Sequence, residues 1–287
     1  MLLGKLLKSV SKNYRKIPVG GISFDSRKVK KRDIFFAIKG NQTSGIKFIN
    51  DALSNGASAI ISSKKVKYKN RQIPLILVKN VRKSLSEACS NFYKKKPPNI
   101  VAVTGTNGKS SVADFFYQIL SLNKISVASI GTLGVFSKNY NKKTNLTSMD
   151  SLSLHKNLQI LARNKVNYVI LEASSHGLQQ KRLNNLNINT GIFTNLSHDH
   201  LDYHKSMKSY FNSKIFEFAE TLTICLFCLY LLYKIFIFPE FVPIVIFFNF
   251  FLFAIFFINL NSLLSSSVII LEFFLSKFLN KCIFELK

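Results

Sequence analysis

Acidic residues are scarce in this sequence. Fourteen Asp and Glu stand against 40 Lys and Arg over 287 residues, for a formal net charge of +26. That balance suits a nucleic-acid or anionic-membrane partner, and the clusters Lys28–Arg32, Lys64–Arg71 and Lys94–Lys96 have the density for one. They lack the aromatic interleaving of a single-strand platform, so they read as solvated faces and no nucleic-acid partner is expected. Cysteine is also sparse, with four residues too scattered for a disulfide framework. Cys89 stands alone. Cys225 and Cys228 form one C-x-x-C inside an apolar run, with no second pair and no nearby histidine to make zinc or redox chemistry. The amino terminus has no uninterrupted apolar stretch for a secretion signal, because Lys5 and Lys8 break it. The expectation is a cytoplasmic, monomeric body.

Length leaves room for two domains. Residues 1–96 alternate short apolar runs with polar turns. Ile22–Phe24, Asp33–Ile38, Ala57–Ser62 and Ile73–Val78 predict strands, and Phe48–Leu53 and Ser84–Tyr93 carry helical spacing. The result is a small α/β domain. Lys94-Lys-Lys-Pro-Pro98 reads as its linker, since paired prolines stop a helix and extend the chain. Over residues 97–220 strand and helix repeat: Ile100–Val103, Ser111–Leu120, Ser126–Ile130, a helix over Ser151–Arg163, Tyr168–Glu172 and Thr190–Phe193. That order predicts a mostly parallel sheet with ligands beyond the carboxyl ends of its strands.

The richest stretch is Val101-Ala-Val-Thr-Gly-Thr-Asn-Gly-Lys-Ser110. A β-branched run enters a glycine turn, and a helix follows. Backbone N–H groups of the turn and the helix N-terminus favour an anion. Thr104, Gly105, Thr106, Asn107, Gly108, Lys109 and Ser110 therefore form a candidate ATP site, in which Lys109 reaches the outer phosphates and the Ser110 hydroxyl ligates magnesium. The general P-loop places four residues between its first glycine and the Gly-Lys pair. Only Thr106 and Asn107 stand there in this chain.

Three segments end strands with polar residues and are expected to converge: this loop, Glu172-Ala-Ser-Ser-His-Gly177, and Thr194-Asn195. Glu172 is placed to meet magnesium held by Ser110. Asp25-Ser26-Arg27 offers a hydroxyl and a guanidinium to a phosphorylated ligand, with a cap or a local salt bridge as the plainer reading. His198-Asp-His200-Leu-Asp202-Tyr-His204 crowds histidines and acids together. Its period-2 spacing puts them on one face only if the segment is extended, and no His-Glu-x-x-His or thiolate accompanies it.

Thr104–Ser110, Gly131-Thr-Leu-Gly134, Leu146-Thr-Ser-Met-Asp150, Glu172–Leu178 and Phe193-Thr-Asn-Leu-Ser-His-Asp-His-Leu-Asp-Tyr-His204 follow one another as in the Mur ligases. From about Gly21 to Phe218 the chain resembles that family, most of all its diamino-acid-adding branch, and the shortened phosphate loop is the family's own form. The resemblance implies an ATP-dependent ligase of peptidoglycan synthesis. It would add meso-diaminopimelate or lysine to UDP-N-acetylmuramoyl-L-alanyl-D-glutamate through an acyl phosphate.

By position in the family pattern, Ser26 contacts the uridine nucleotide and Asn195 the ATP. Thr147, Ser148, Ser174, Gln180 and Arg182 hold the muramoyl dipeptide, and Glu172 and His200 hold magnesium. Lys214 stands where the family carries a carbamylated lysine, a carboxylate-like magnesium ligand. Met149 stands where the family usually has proline, and Ser110 where threonine is commoner.

Beyond Phe218 the family pattern stops. Residues 221–287 hold 15 of the 27 phenylalanines, and Phe241–Leu260 is twenty residues without a charge. That length could span a bilayer, with Thr221–Phe238, broken by Lys234, as a second span. The stretch shows neither an amphipathic period nor a Lys/Arg asymmetry about its ends. Out-of-frame translation of AT-rich coding sequence is the expectation, with a membrane anchor or a buried apolar core as alternatives. Two rival functions follow: a non-catalytic nucleotide-binding or membrane-tethered remnant, and a folylpolyglutamate synthase-like ligase, which Asp25-Ser26-Arg27 and Ser174-Ser-His-Gly177 disfavour.

Overall fold

The computed structural model describes residues 1–219 apart from Asn41, Gln42, Arg71 and Asn145. The expectations for the apolar stretch 221–287, and for Cys225 and Cys228, lie outside the described residues. The described residues lie in one compact unit built on two sheets.

The first sheet has four parallel strands in chain order, β1 (Gly21–Ser23), β2 (Asp33–Phe36), β3 (Ala59–Ser62) and β4 (Leu75–Leu77). Side chains alternate faces along a strand. Ile34 and Phe36 therefore join Ile61 and Ile76 against α1 (Leu3–Leu6) and α3 (Val81–Phe92). Phe35 and Ile60 face the other way, against Ile49 and Ala52 of α2 (Ile49–Ser54). With both faces covered, β2 and β3 are buried throughout, which is why they read as continuous apolar runs.

The second sheet has five strands in the order β7-β6-β8-β5-β9: β5 (Asn99–Thr104), β6 (Val127–Gly131), β7 (Gly134–Ser137), β8 (Tyr168–Glu172) and β9 (Thr190–Phe193). All neighbours are parallel except β7, which turns back antiparallel on β6. Ile100, Ala102, Val169 and Leu171 face α5 (Ser151–Arg163) through Leu154, Leu158 and Leu161. Val101, Val103 and Ile170 face Ala113 of α4 (Lys109–Leu122). The mostly parallel sheet matches the expectation. The hairpin strand β7, the short α6 (Ser175–Gln179) and α7 (Leu201–His204), and α8 (Met207–Ala219) were not foreseen.

Candidate nucleotide and substrate site

The carboxyl ends of β5, β6, β8 and β9 carry the polar residues singled out in the sequence, and most of them meet. Thr104 closes β5, and its hydroxyl donates to Ala173 O at 2.8 Å, tying the start of the loop to the end of β8. Gly105 follows at φ +143°, where a Cβ would stand 1.9 Å from Thr194 Oγ1. Only glycine permits that approach. Thr106 N donates to Asn195 O and Asn107 N to Asn195 Oδ1, each at 2.9 Å. These two loop N–H groups, expected to face an anion, are braced by Asn195 instead. The free N–H groups of the first turn of α4 remain for an anion, with Gly108 as the N-cap at φ +80°. Lys109 folds back, its Nζ donating to Gly105 O at 2.9 Å and Thr106 O at 2.7 Å. Burial lowers its pKa, opposed by Glu172 and Asp199.

Glu172, at the end of β8, is buried yet fully engaged. Ser110 Oγ donates to its Oε2 at 2.8 Å and Thr132 N to its Oε1 at 3.0 Å. The Thr132 hydroxyl lies 3.1 Å from both Glu172 Oε2 and Thr147 Oγ1. A Cβ on Gly131 would sit 2.0 Å from Glu172 Oε1, so the carboxylate lies directly on bare backbone. The expected meeting of Ser110 and Glu172 is therefore present. Its hard oxygen donors suit magnesium, and Ser110 and Glu172 are the residues that would hold it. Ser148 is spent on architecture: its hydroxyl donates to Glu172 O and accepts from Ser174 N, both at 2.8 Å. Ser174 Oγ caps α6 by accepting from Gly177 N at 3.1 Å. Met149, in the family's proline position, is buried in the core.

Lys214 reaches the loop from α8. Its Nζ donates to Gly105 O at 2.5 Å and sits 4.8 Å from the centre of the Tyr210 ring. Burial, and then the Lys109 charge, lower its pKa to about 7. Tyr210 is fully buried and shares a 3.1 Å hydrogen bond with Thr106 Oγ1. The histidine segment is helical from Leu201, so its period-2 side chains do not line one extended face. One helical turn brings His200 and His204 to the same neighbour, His176, at ring separations of 5.1 and 5.5 Å. His200 itself stands at φ +54° and its N donates to Asp199 Oδ1. Burial, then His176, lower His204 to about 4, so it is neutral at pH 7. Among the described residues no group of three His, Cys, Asp or Glu side chains is gathered to hold a metal ion.

Gln180 and Arg182 lie beyond α6. Arg182 Nη2 donates to Gln180 Oε1 at 2.8 Å and its Nη1 to Ser148 O at 2.5 Å. Gln180 Nε2 donates to Tyr203 OH at 3.3 Å. Ser26 stands apart, in the first sheet's loop, where its carbonyl accepts from Asn55 Nδ2. The Arg27 guanidinium is paired to Asp25 at 2.9 and 3.0 Å, so the local salt bridge is what this tripeptide makes. Sequence reasoning gave no role to Thr132, His176, Tyr203 or Tyr210. Thr132 lay inside a quoted motif, and Tyr210 is one helical turn before Lys214.

Comparison with known proteins follows the same lines. Residues 18–93 match the sequence model described as "Mur ligase family, catalytic domain", and residues 103–225 the one described as "Mur ligase middle domain". The UDP-N-acetylmuramoyl-L-alanyl-D-glutamate--2,6-diaminopimelate ligase of Rickettsia montanensis is 46% identical over 207 residues, covering 70% of this chain and 43% of the relative. That of Rhizobium meliloti (strain 1021) is 42% identical over 206 residues, covering 72% and 42%. A solved structure of a ligase with this name superposes with a TM-score of 0.65 at 32% identity, over 75% of this chain and 44% of that one. The chain thus spans less than half the length of these relatives.

Proposed function

This chain belongs to the Mur ligase family, and from that premise we propose that it acts in ATP-dependent addition of diaminopimelate to UDP-N-acetylmuramoyl-L-alanyl-D-glutamate. The observation that supports this most is the 2.8 Å bond from Ser110 in the phosphate loop to Glu172 at the end of the neighbouring strand. It pairs a hydroxyl and a carboxylate at a helix N-terminus, beside two lysines. The relatives' names supply diaminopimelate in place of lysine. Cytoplasmic placement belongs to this reading; among the described residues no helix is long and apolar enough to cross a membrane.

In this reading a substrate carboxylate oxygen attacks the γ-phosphorus of ATP and ADP leaves. The incoming amine then attacks the acyl carbon, loses a proton and displaces phosphate. Phosphoryl transfer of this kind needs positioning and charge neutralisation more than covalent help. Lys109 exchanges its two loop carbonyls for an outer phosphate. Ser110 and Glu172 would hold magnesium, which would supply further positive charge on the phosphates. Asn195 keeps the loop in shape through Thr106 and Asn107. Lys214, about half unprotonated at pH 7, offers the free amine that carbamylation by carbon dioxide requires, and His200 would be a further magnesium ligand. Thr147, Ser174, Gln180 and Arg182 face the muramoyl dipeptide, Ser148 fixes the backbone beneath it, and Ser26 meets the uridine nucleotide.

The test uses the full chain with ATP, magnesium, the UDP-muramoyl dipeptide and diaminopimelate. Phosphate release and a tripeptide product detected by mass spectrometry are expected only when all are present. Binding of both ligands without release would remove the ligase half of the reading and leave a nucleotide-binding protein. Lys109→Ala is expected to abolish ATP binding by calorimetry. Unchanged nucleotide affinity in that variant would sink the phosphate-loop assignment.

A further inference from the structure

Gln180 is gripped from two sides. Arg182 reaches its Oε1 with Nη2 at 2.8 Å and Nε at 3.3 Å. The third donor comes from the first sheet: Arg82, in the first turn of α3, reaches the same oxygen with Nη1 at 3.1 Å and gives Nη2 to Lys39 O at 3.1 Å. Two guanidinium groups 100 positions apart in sequence thus converge on one neutral carbonyl oxygen. Both are half-buried. Among the described residues neither has a carboxylate partner in an ion pair; the charge of Asp150 acts on Arg182 only through space. Burial and the mutual repulsion of the two cations lower the pKa of Arg82.

Such a pair is held at a cost unless an anion joins it. An amide oxygen is a weak acceptor for two guanidinium forks, whereas carboxylates and phosphates accept such forks with both oxygens. The neighbours Gln180 and Arg182 are those read above as facing the muramoyl dipeptide, which bears carboxylates and a pyrophosphate. We propose that Arg82 is a substrate-binding residue lent by the first sheet, forming with Arg182 a two-guanidinium site for an acidic group of that substrate. The inference rests on the proposed function. It adds that the site is complete only when α3 is docked against the second sheet.

The experiment compares the full chain with Arg82→Ala and Arg82→Lys. Calorimetry measures affinity for UDP-N-acetylmuramoyl-L-alanyl-D-glutamate, for UDP-N-acetylmuramic acid without the dipeptide, and for ATP. Arg82→Ala is expected to weaken the dipeptide substrate by about tenfold or more, and Arg82→Lys to recover only part of it because the fork is lost. ATP affinity and melting temperature stay near wild type. Loss confined to the dipeptide substrate assigns Arg82 to a peptide carboxylate, and equal loss for both UDP compounds assigns it to the pyrophosphate. Substrate affinity within twofold of wild type in Arg82→Ala overturns the inference while leaving the proposed function standing. A parallel fall in ATP affinity and melting temperature also overturns it, making Arg82 a brace between the sheets. If the wild-type chain binds neither UDP compound, the proposed function falls and the inference with it.

Discussion

At the scale of the residue, Lys214 is the most consequential side chain in the molecule. It is 1% exposed, holds the loop through Gly105 O and has a pKa near 7 in the fold against 10.5 for an ordinary lysine. Between those values the unfolded chain binds a proton that the folded chain does not, so stability rises with pH across this window. Below about pH 7 the burial penalty is present in full. The melting temperature of the wild type relative to Lys214→Met is therefore expected to climb from pH 6.5 to pH 9.5. A constant difference across that range would show that Lys214 titrates normally. The sequence alone could not distinguish this lysine among so many; the family pattern named it, and only burial beside Tyr210 gives it a physical reason. The meeting of Glu172 with Ser110 was legible, because a carboxylate ending the strand beside a phosphate loop lies within reach of the loop's hydroxyl. Its contact with Thr132 was not, since that depends on a hairpin the sequence did not announce.

Among the elements, caps and patterns explain what could be read and what could not. Asn80 Oδ1 accepts from Lys83 N at 3.0 Å and starts α3. Asn80→Ala should cost about 1 kcal/mol in urea denaturation, as losing such a cap usually does, and a change below about 0.3 kcal/mol would mean tertiary packing alone sets the start of α3. The strands β5 and β8 and the helices α4 and α5 were legible from β-branched runs and helical spacing. β7 was not: it is four residues long, begins at a glycine with φ +125° and lies at the edge of the sheet. The helix α6 was hidden because it is five residues with a glycine inside. Helical spacing does not by itself fix burial. On α4, Phe115, Ile119 and Leu122 follow helical spacing yet are 62, 57 and 82% exposed, since the sheet takes up the opposite face.

For the whole molecule, the two sheets are joined by a polar seam. Ser86 Oγ donates to Asn184 O, and Ser90 Oγ to Asn185 O at 2.9 Å. Lys96 Nζ bridges Ser90 Oγ and Asn185 O at 2.7 Å each, and burial lowers its pKa to about 8. Linker composition gave no sign that Lys96 would be folded into the seam. Replacing Ser86 and Ser90 with alanine takes the buried donor from Asn184 O, at about 1–3 kcal/mol, while the exposed Asn185 O keeps Lys96. In native-state hydrogen exchange the double variant should protect β2 and β3 differently from β5 and β8, whereas the wild type protects both alike. Matched protection in the double variant would show that apolar contacts alone couple the sheets.

The resting loop carries one more consequence. Lys109 and Lys214 both spend hydrogen bonds on Gly105 O, and Lys109 spends another on Thr106 O. An anion that draws Lys109 away takes part in an exchange, with new contacts formed and old ones surrendered in the same step. The heat released is then smaller than a count of final contacts suggests. On departure the ammonium has its carbonyls waiting, so the loop is expected to recover its starting state readily, and stopped-flow measurement of nucleotide release is expected to give a fast off-rate for a site with this much positive charge.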